Sequence, residues 1–346
     1  MTRFQLSDLS VPVIQAPMAG IATPLLAAEV SGAGALGTLG LGTSKAADAA
    51  RVMAETARLL GSNRYGVNLF WHDSARRDAA CEAAWLDYLS PEFARHGATP
   101  PAALAEIYPS LRRDRAMLRA VLDARPALVS FHFGLPGAEI TAALREAGAM
   151  LIASATSVQE GQAIRDAGFD AVIAQGYEAG GHRGIFDPDG ADEQLSTAAL
   201  MARLLPLGLP VVAAGGIMDG SDAARFLRAG AAAVQMGTGF VACPESAANE
   251  AYRQRLGQGG ATVMTRAISG RPARGLENRL TRLGAAEGAP EAPDYPLAYD
   301  ASKALHAVAG GSDYAAHWAG TGAARARAMP AARLVRTLAD EIAGAA

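Results

Sequence analysis

Cysteine is nearly absent: Cys81 and Cys243 are the only two in 346 residues. A pair so distant in sequence is not a disulfide framework, and no Cys-x-x-Cys or Cys/His spacing suggests zinc. Aromatic residues make up 6% and charged residues 19%, there is no long basic run, and the net charge is −3. The electrostatic footprint of a nucleic-acid binder is therefore missing. No apolar stretch approaches a membrane span. The opening residues MTRFQLSD lack the apolar core of a signal peptide. A cytoplasmic protein without nucleic-acid or membrane partners is the expectation. Catalytic groups are also scarce. There are six histidines, no Ser/His/Asp order and no G-x-S-x-G elbow.

Apolar residues and glycine are abundant. Half the chain is hydrophobic, with 38 Gly and 18 Pro, enough for one large α/β domain and a smaller piece. Short apolar runs recur: Val11–Ala16, Ala35–Leu39, Tyr65–Phe70, Leu128–Phe131, Met150–Ala153, Ala171–Gln175, Pro210–Ala214 and Ala232–Met236. Continuous apolar runs of this length read as strands covered on both faces. Helical patterns separate them: Pro24–Val30, Lys45–Leu60, Glu139–Ala147, a helix from Ser157 with Glu160 completing a capping box, Thr197–Leu205, and one ending at Gly230. Ser31–Gly37 (SGAGALG) holds a literal G-x-G-x-x-G. It follows a helix and leads into a strand, the reverse of a dinucleotide fingerprint, so it reads as a helix end. Between Trp71 and Arg125 the strand rhythm stops and helical segments appear (CEAAWLDYL, AALAEIY, RAMLRAVLDA).

Eight strands alternating with helices predict a TIM (β/α)8 barrel with a helical insertion and lid. The expected barrel is residues 1–70 and 126–280. The insertion, residues 71–125, is expected to pack with a C-terminal lid segment, residues 281–346. In such barrels function sits beyond the strand carboxyl ends. Gln15, Asn68, His132, Ser154, Gln175, His182, Gly215, Gly216, Gln235, Met236, Gly237 and Thr238 all fall there. The glycine loops Gly215–Gly216 and Gly237–Thr238 follow the seventh and eighth barrel strands, where backbone N–H groups often hold a phosphate. A phosphate site with Asn68 and Gln175 at neighbouring strand ends fits FMN, whose ring edge needs neutral donors and acceptors. The alternative for each amide is a buried side chain satisfied by backbone. Of the histidines, only His132 and His182 follow barrel strands, and His182 sits within Gly180-Gly181-His182-Arg183-Gly184. His72, His96 and His317 read as solvated or packed. Tyr295, Tyr299 and Lys303, four apart, would share one helical face and offer phenols and an ammonium to an anion.

These blocks resemble the nitronate monooxygenases (formerly 2-nitropropane dioxygenases), class I group. The matching stretches are Gln15–Gly20, Asn68–Phe70, Ser130–Gly134, Ala174–Gly176, Glu178–Gly184, Ala213–Ile217, Gln235–Thr238 and Ser269–Gly275. The resemblance implies a TIM barrel with non-covalent FMN that oxidises alkyl nitronates with O2 to a carbonyl compound and nitrite, through a flavin semiquinone. Carried over by motif, Met18, Ala19, Gly20, Asn68, Gln175, Gly180, Gly216 and Gln235 to Thr238 would contact FMN. His182 would be the base or anion-orienting group, with His132 beside it. Tyr295, Tyr299 and Lys303 would hold a carboxylated substrate such as propionate 3-nitronate. An FMN-dependent NAD(P)H:quinone or enoyl-thioester reductase, an FMN-free phosphate barrel and a flavin-binding scaffold are the competing readings. A monomer or homodimer is expected.

Overall fold

The structure, a computed structural model, describes residues 3–345. In chain order its barrel strands are β1 (Val13–Gln15), β2 (Thr38–Gly40), β3 (Gly66–Phe70), β4 (Leu128–His132), β5 (Met150–Ala155) and β6 (Ala171–Gln175). After a short separate strand, β7 (Gly181–His182), the barrel resumes with β8 (Val211–Ala214) and β9 (Ala233–Met236). The eight barrel strands are all parallel, in the order β1-β9-β8-β6-β5-β4-β3-β2. A parallel bridge between Ile14 and Leu36 brings the two edges together. The bonds from Gln15 N to Leu36 O (2.8 Å) and Leu36 N to Val13 O (3.0 Å) satisfy edge groups that an open sheet would leave unpaired.

Strand residues alternate between two apolar clusters, as a period of two requires. Ile14, Leu128, Ile152, Ile173 and Val212 fill the interior, with Phe4, Leu6 and Leu9 packed among them. Val13, Val129, Leu151, Val172 and Val211 face outward, into the cluster shared with the surrounding helices. Those helices are α1 (Pro24–Gly32), α2 (Ala46–Leu60), α4 (Arg115–Ala124), α5 (Ala138–Glu146), α6 (Val158–Asp166), α7 (Thr197–Leu204) and α8 (Gly220–Arg228). Thr23 caps α1 through Leu26 N, with Pro24 in its first turn. The segment SGAGALG ends α1 and leads into β2, so its glycines do close a helix.

Three local expectations change and one small sheet is added. Glu160 does not complete a capping box. Ser157 accepts from Glu160 N, but the Glu160 carboxylate accepts from Thr156 N, Thr156 Oγ1 and Phe186 N. It ties the end of β5 to the His182 loop. Within the insertion, α3 (Ala79–Ala94) forms, but AALAEIY is irregular. Pro100, Pro101 and Pro109 bracket it and leave too few residues for a stable helix. Helix α4 packs on α2, and α13 (Ala331–Gly344) packs on α8 and α1. Both therefore stand in the ring around the barrel, whereas α3 packs on α12 (Leu297–Ala309). Finally, β7 joins β10 (Thr262–Thr265) and β11 (Ala273–Leu276) in a small antiparallel sheet. The remaining short helices are α9 (Thr238–Val241), α10 (Glu250–Gly257) and α11 (Arg279–Gly284).

Candidate active site

The carboxyl ends of the barrel strands open into a cavity of about 310 Å³, a volume typical of small-molecule and cofactor sites. Met18, Ala19, Gly20, Asn68, His132, Gln175, Gly180, His182, Gly215, Gly216, Gln235, Met236, Gly237, Thr238, Tyr299 and Lys303 all line it. Tyr295 does not. It precedes α12, is buried, and lines a neighbouring cavity, although its ring centroid lies 5.5 Å from that of His182. Only Tyr299 and Lys303 share the helical face, because the helix begins at Leu297.

One wall of the cavity is backbone. The N–H groups of Gly215, Gly216 and Gly237 donate to no acceptor among the described residues. Gly215 (φ +124°) and Gly216 (φ +71°) adopt conformations that residues with a Cβ rarely take. A Cβ on Gly180 would come within 2.5 Å of the Ala319–Gly320 backbone. Unpaired amides facing a cavity make an anion site by dipole and hydrogen bonding.

The opposite side centres on His182. Pairing of β7 with β11 sets His182 opposite Ala273. Gln175 Nε2 donates to His182 O at 2.8 Å, and Gln175 Oε1 accepts from Gly184 N at 2.7 Å. Buried Arg183 then closes the loop, bonding Gln175 O at 2.7 Å and pairing with Asp192 at 2.8 Å. The Gln175 amide thus clamps the histidine loop as well as lining the cavity, and has one amide hydrogen left. Asn68 differs. Its Nδ2 donates to Ser130 Oγ at 3.0 Å, while its Oδ1 accepts from none of the described residues. Gln15 turns away and accepts from Thr38 N at 3.0 Å, stitching β1 to β2.

The two histidines are not equivalent. His132 Nε2 lies 3.0 Å from His182 O and its Nδ1 lies 2.9 Å from Ser154 Oγ. A carbonyl only accepts, so Nε2 carries the proton and Nδ1 accepts from the serine. Both nitrogens are occupied, leaving none for proton transfer beside His182. His182 Nε2 lies 2.9 Å from Ser269 Oγ, whose hydroxyl donates to Arg271 O at 3.2 Å. The imidazole is therefore the donor in that contact, and its free lone pair is on Nδ1. Burial, then the neighbouring His132 and Arg271, press the His182 pKa down to about 3; burial takes His132 to about 4. Both are neutral near pH 7.

Aromatic rings enclose the imidazole. Trp318 lies 5.2 Å, Phe133 5.6 Å, Tyr299 6.3 Å and Phe70 6.4 Å away between centroids. The Lys303 ammonium sits over the rings of Tyr108 (5.3 Å) and Tyr299 (5.7 Å) at the rim. Tyr108, Trp318 and Ser269 join the site as well, Tyr108 from the AALAEIY stretch that reads as helix but is irregular. Of these, Ser269 lay in a recognisable block, whereas lone aromatics in irregular chain carry no signal. His317 stacks on Tyr252 at 4.4 Å, while His96 is exposed.

Fold and site together define an α/β-barrel enzyme with unpaired backbone amides and a neutral, caged histidine lining one cavity. A sequence profile of the family described as nitronate monooxygenase matches residues 2–341. Proteins named nitronate monooxygenase from Paraburkholderia phytofirmans and Pseudomonas aeruginosa are 52% and 50% identical. The first alignment covers 97% of this chain and 93% of the relative; the second covers 98% of each. Among solved structures, nitroalkane oxidase from Streptomyces ansochromogenes superposes with a TM-score of 0.88 at 38% identity, covering 98% of this chain and 97% of that one. FabK from Thermotoga maritima superposes at 0.75 with 26% identity, covering 99% and 97%. The chain belongs to the nitronate monooxygenase family. No helix among the described residues is long and apolar enough to cross a membrane.

Proposed function

We propose that the protein oxidises alkyl nitronates with O2, using non-covalently bound FMN, to a carbonyl compound and nitrite. The observation that carries this reading is the pairing, in one cavity, of unpaired Gly215, Gly216 and Gly237 amides with a neutral His182 under a lysine-bearing aromatic rim. The amides suit a phosphate, and Asn68 Oδ1 with the spare Gln175 hydrogen suits a flavin edge. When bound, FMN would supply the electron acceptor and the site of O2 reduction.

The chain's own residues do the rest. Lys303 draws in an anionic substrate, and Tyr299 and Tyr108 offer phenols. Burial pushes the Tyr299 phenol up to about 12, so it stays a donor at neutral pH. An imidazole whose pKa lies near 3 is a weak base for a neutral nitroalkane. A nitronate arrives already deprotonated, which favours it as the substrate. With its Nε2–H given to Ser269, His182 offers only the Nδ1 lone pair, so Lys303 and the phenols orient the anion. His182 serves at most as the weak base for a neutral nitroalkane, and His132 acts as a positioning residue by holding the His182 carbonyl. A substrate carboxylate, as in propionate 3-nitronate, would be met by Lys303 at the rim.

The test is an absorbance spectrum of the purified protein, followed by anaerobic addition of propionate 3-nitronate. A flavin spectrum that changes with nitronate and not with NADH is the expected result. Bleaching by NADH alone would make the protein a reductase, and a colourless protein with no affinity for added FMN would end the flavin reading.

A further inference from the structure

A second cavity, of about 340 Å³, adjoins the first across a wall of Phe133 and Tyr295. Both rings also lie against His182, at 5.6 and 5.5 Å. Trp71, His72, Arg112 and Arg271 line its remaining sides. The reaction proposed above uses none of it.

Its charges do not balance. Arg112 pairs with Asp73, Asp294 pairs with Arg76 at 3.2 Å, and Arg266 pairs with Asp189 at 2.8 Å. His72 donates through Nδ1 to its neighbour's carbonyl, Asp73 O, at 2.7 Å, and burial lowers its pKa to about 4, so it adds no charge. Arg271 is left over. It is 5% exposed, and its Nη2 bonds Ile185 O at 2.6 Å and Phe186 O at 3.3 Å. Its Nε is sealed and meets no acceptor, its Nη1 is neither bonded nor sealed, and no carboxylate pairs with it, among the described residues. The Phe133 face, 4.1 Å from the guanidinium, offers partial compensation. The Tyr295 hydroxyl, also buried, has no partner among the described residues either. The phenol oxygen is sealed from the cavity, but a buried cation short of acceptors beside a cavity is costly unless something there supplies one.

We infer that this cavity binds a small singly charged oxyanion, of the carboxylate or nitrite class, held by the Arg271 guanidinium through its unbonded Nη1. Single charge follows from the one unpaired cation. An oxyanion follows from the planar donor fork of arginine. The inference does not rest on the proposed reaction, because an uncompensated guanidinium calls for a counter-ion whatever chemistry occurs next door.

Calorimetric titration of the full-length protein with sodium acetate, and separately with sodium nitrite, tests it, with sodium chloride as control. One equivalent of oxyanion should bind. Arg271→Met should weaken it at least about tenfold, as loss of a charge-assisted pair does. Ser74→Trp, which fills the cavity from its rim, should abolish binding, and Lys303→Met should leave it unchanged. If Arg271→Met does not fold, Ser74→Trp decides. Binding of acetate alone assigns an organic acid, and of nitrite alone an inorganic anion. No saturation below about 10 mM, a bound state worth under about 3 kcal/mol, overturns the inference. So does binding that Lys303→Met removes and Ser74→Trp leaves intact.

Discussion

At the scale of single residues, the site depends on what each polar atom has already been given. Nδ1 of His182 is the nitrogen left free, and its low pKa sets what it can do. His182→Asn should lower kcat/KM for neutral nitroalkanes about a hundredfold or more, as loss of a general base does, and nitronate turnover by much less. Parallel steady-state assays with both substrate forms check this; equal losses would give His182 the same task for both. Gln175 is a clamp. Gln175→Leu strands Gly184 N and one bond to His182 O, a cost of about 1–3 kcal/mol for buried groups left unpaired. The expected result is a lower melting temperature together with a higher KM, because the histidine loop loosens.

At the scale of elements, glycine loops and the rim helix divide the labour. Gly216→Ala forces a side chain into φ +71° with its Cβ 3.2 Å from Glu178. The strain, about 1–2 kcal/mol, is small enough for the barrel to fold, but the cradle changes shape. Purified Gly216→Ala protein should carry well under the wild-type flavin content per chain by absorbance. Helix α12 contributes charge. Lys303→Met should raise KM for a carboxylated nitronate about tenfold, the worth of an exposed but guided charge contact, with kcat little changed. A matching rise in KM for an uncharged-tail nitronate would count against carboxylate recognition. The same scale shows what pattern reading could reach. All eight barrel strands were legible within a few residues, because strands buried on both faces are apolar throughout. Strand β7 was not, since two residues carry no period, and its partner β11 lies about ninety residues away.

For the whole molecule, burial of histidine has a consequence for acid stability. His72, His132 and His317 are lowered to about 4 and His182 to about 3, against 6.5 for a free side chain. The unfolded chain binds protons that the folded chain refuses, so stability falls as pH drops from about 6.5 towards 4. Each group contributes up to about 1.4 kcal/mol per pH unit in that window. The urea midpoint should therefore fall steeply between pH 7 and 5, and a flat profile would mean that these histidines are charged in the folded state. The packing of α13 on α8 and α1 is also a whole-molecule fact. It closes the outer ring with the end of the chain, which amphipathic pattern alone could not distinguish from a lid helix.

By itself the sequence determined the barrel, the end of it that carries chemistry, and the glycine and histidine blocks. Periodicity and backbone freedom are local properties that a linear chain records. Only the tertiary structure decided that His132 serves His182, that Gln175 is a clamp, that Tyr295 is a wall between two cavities, and that Tyr108 and Trp318 complete the aromatic cage. Those assignments depend on which donor meets which acceptor across the fold, and hydrogen-bond partners far apart in sequence leave no mark on the residues between them.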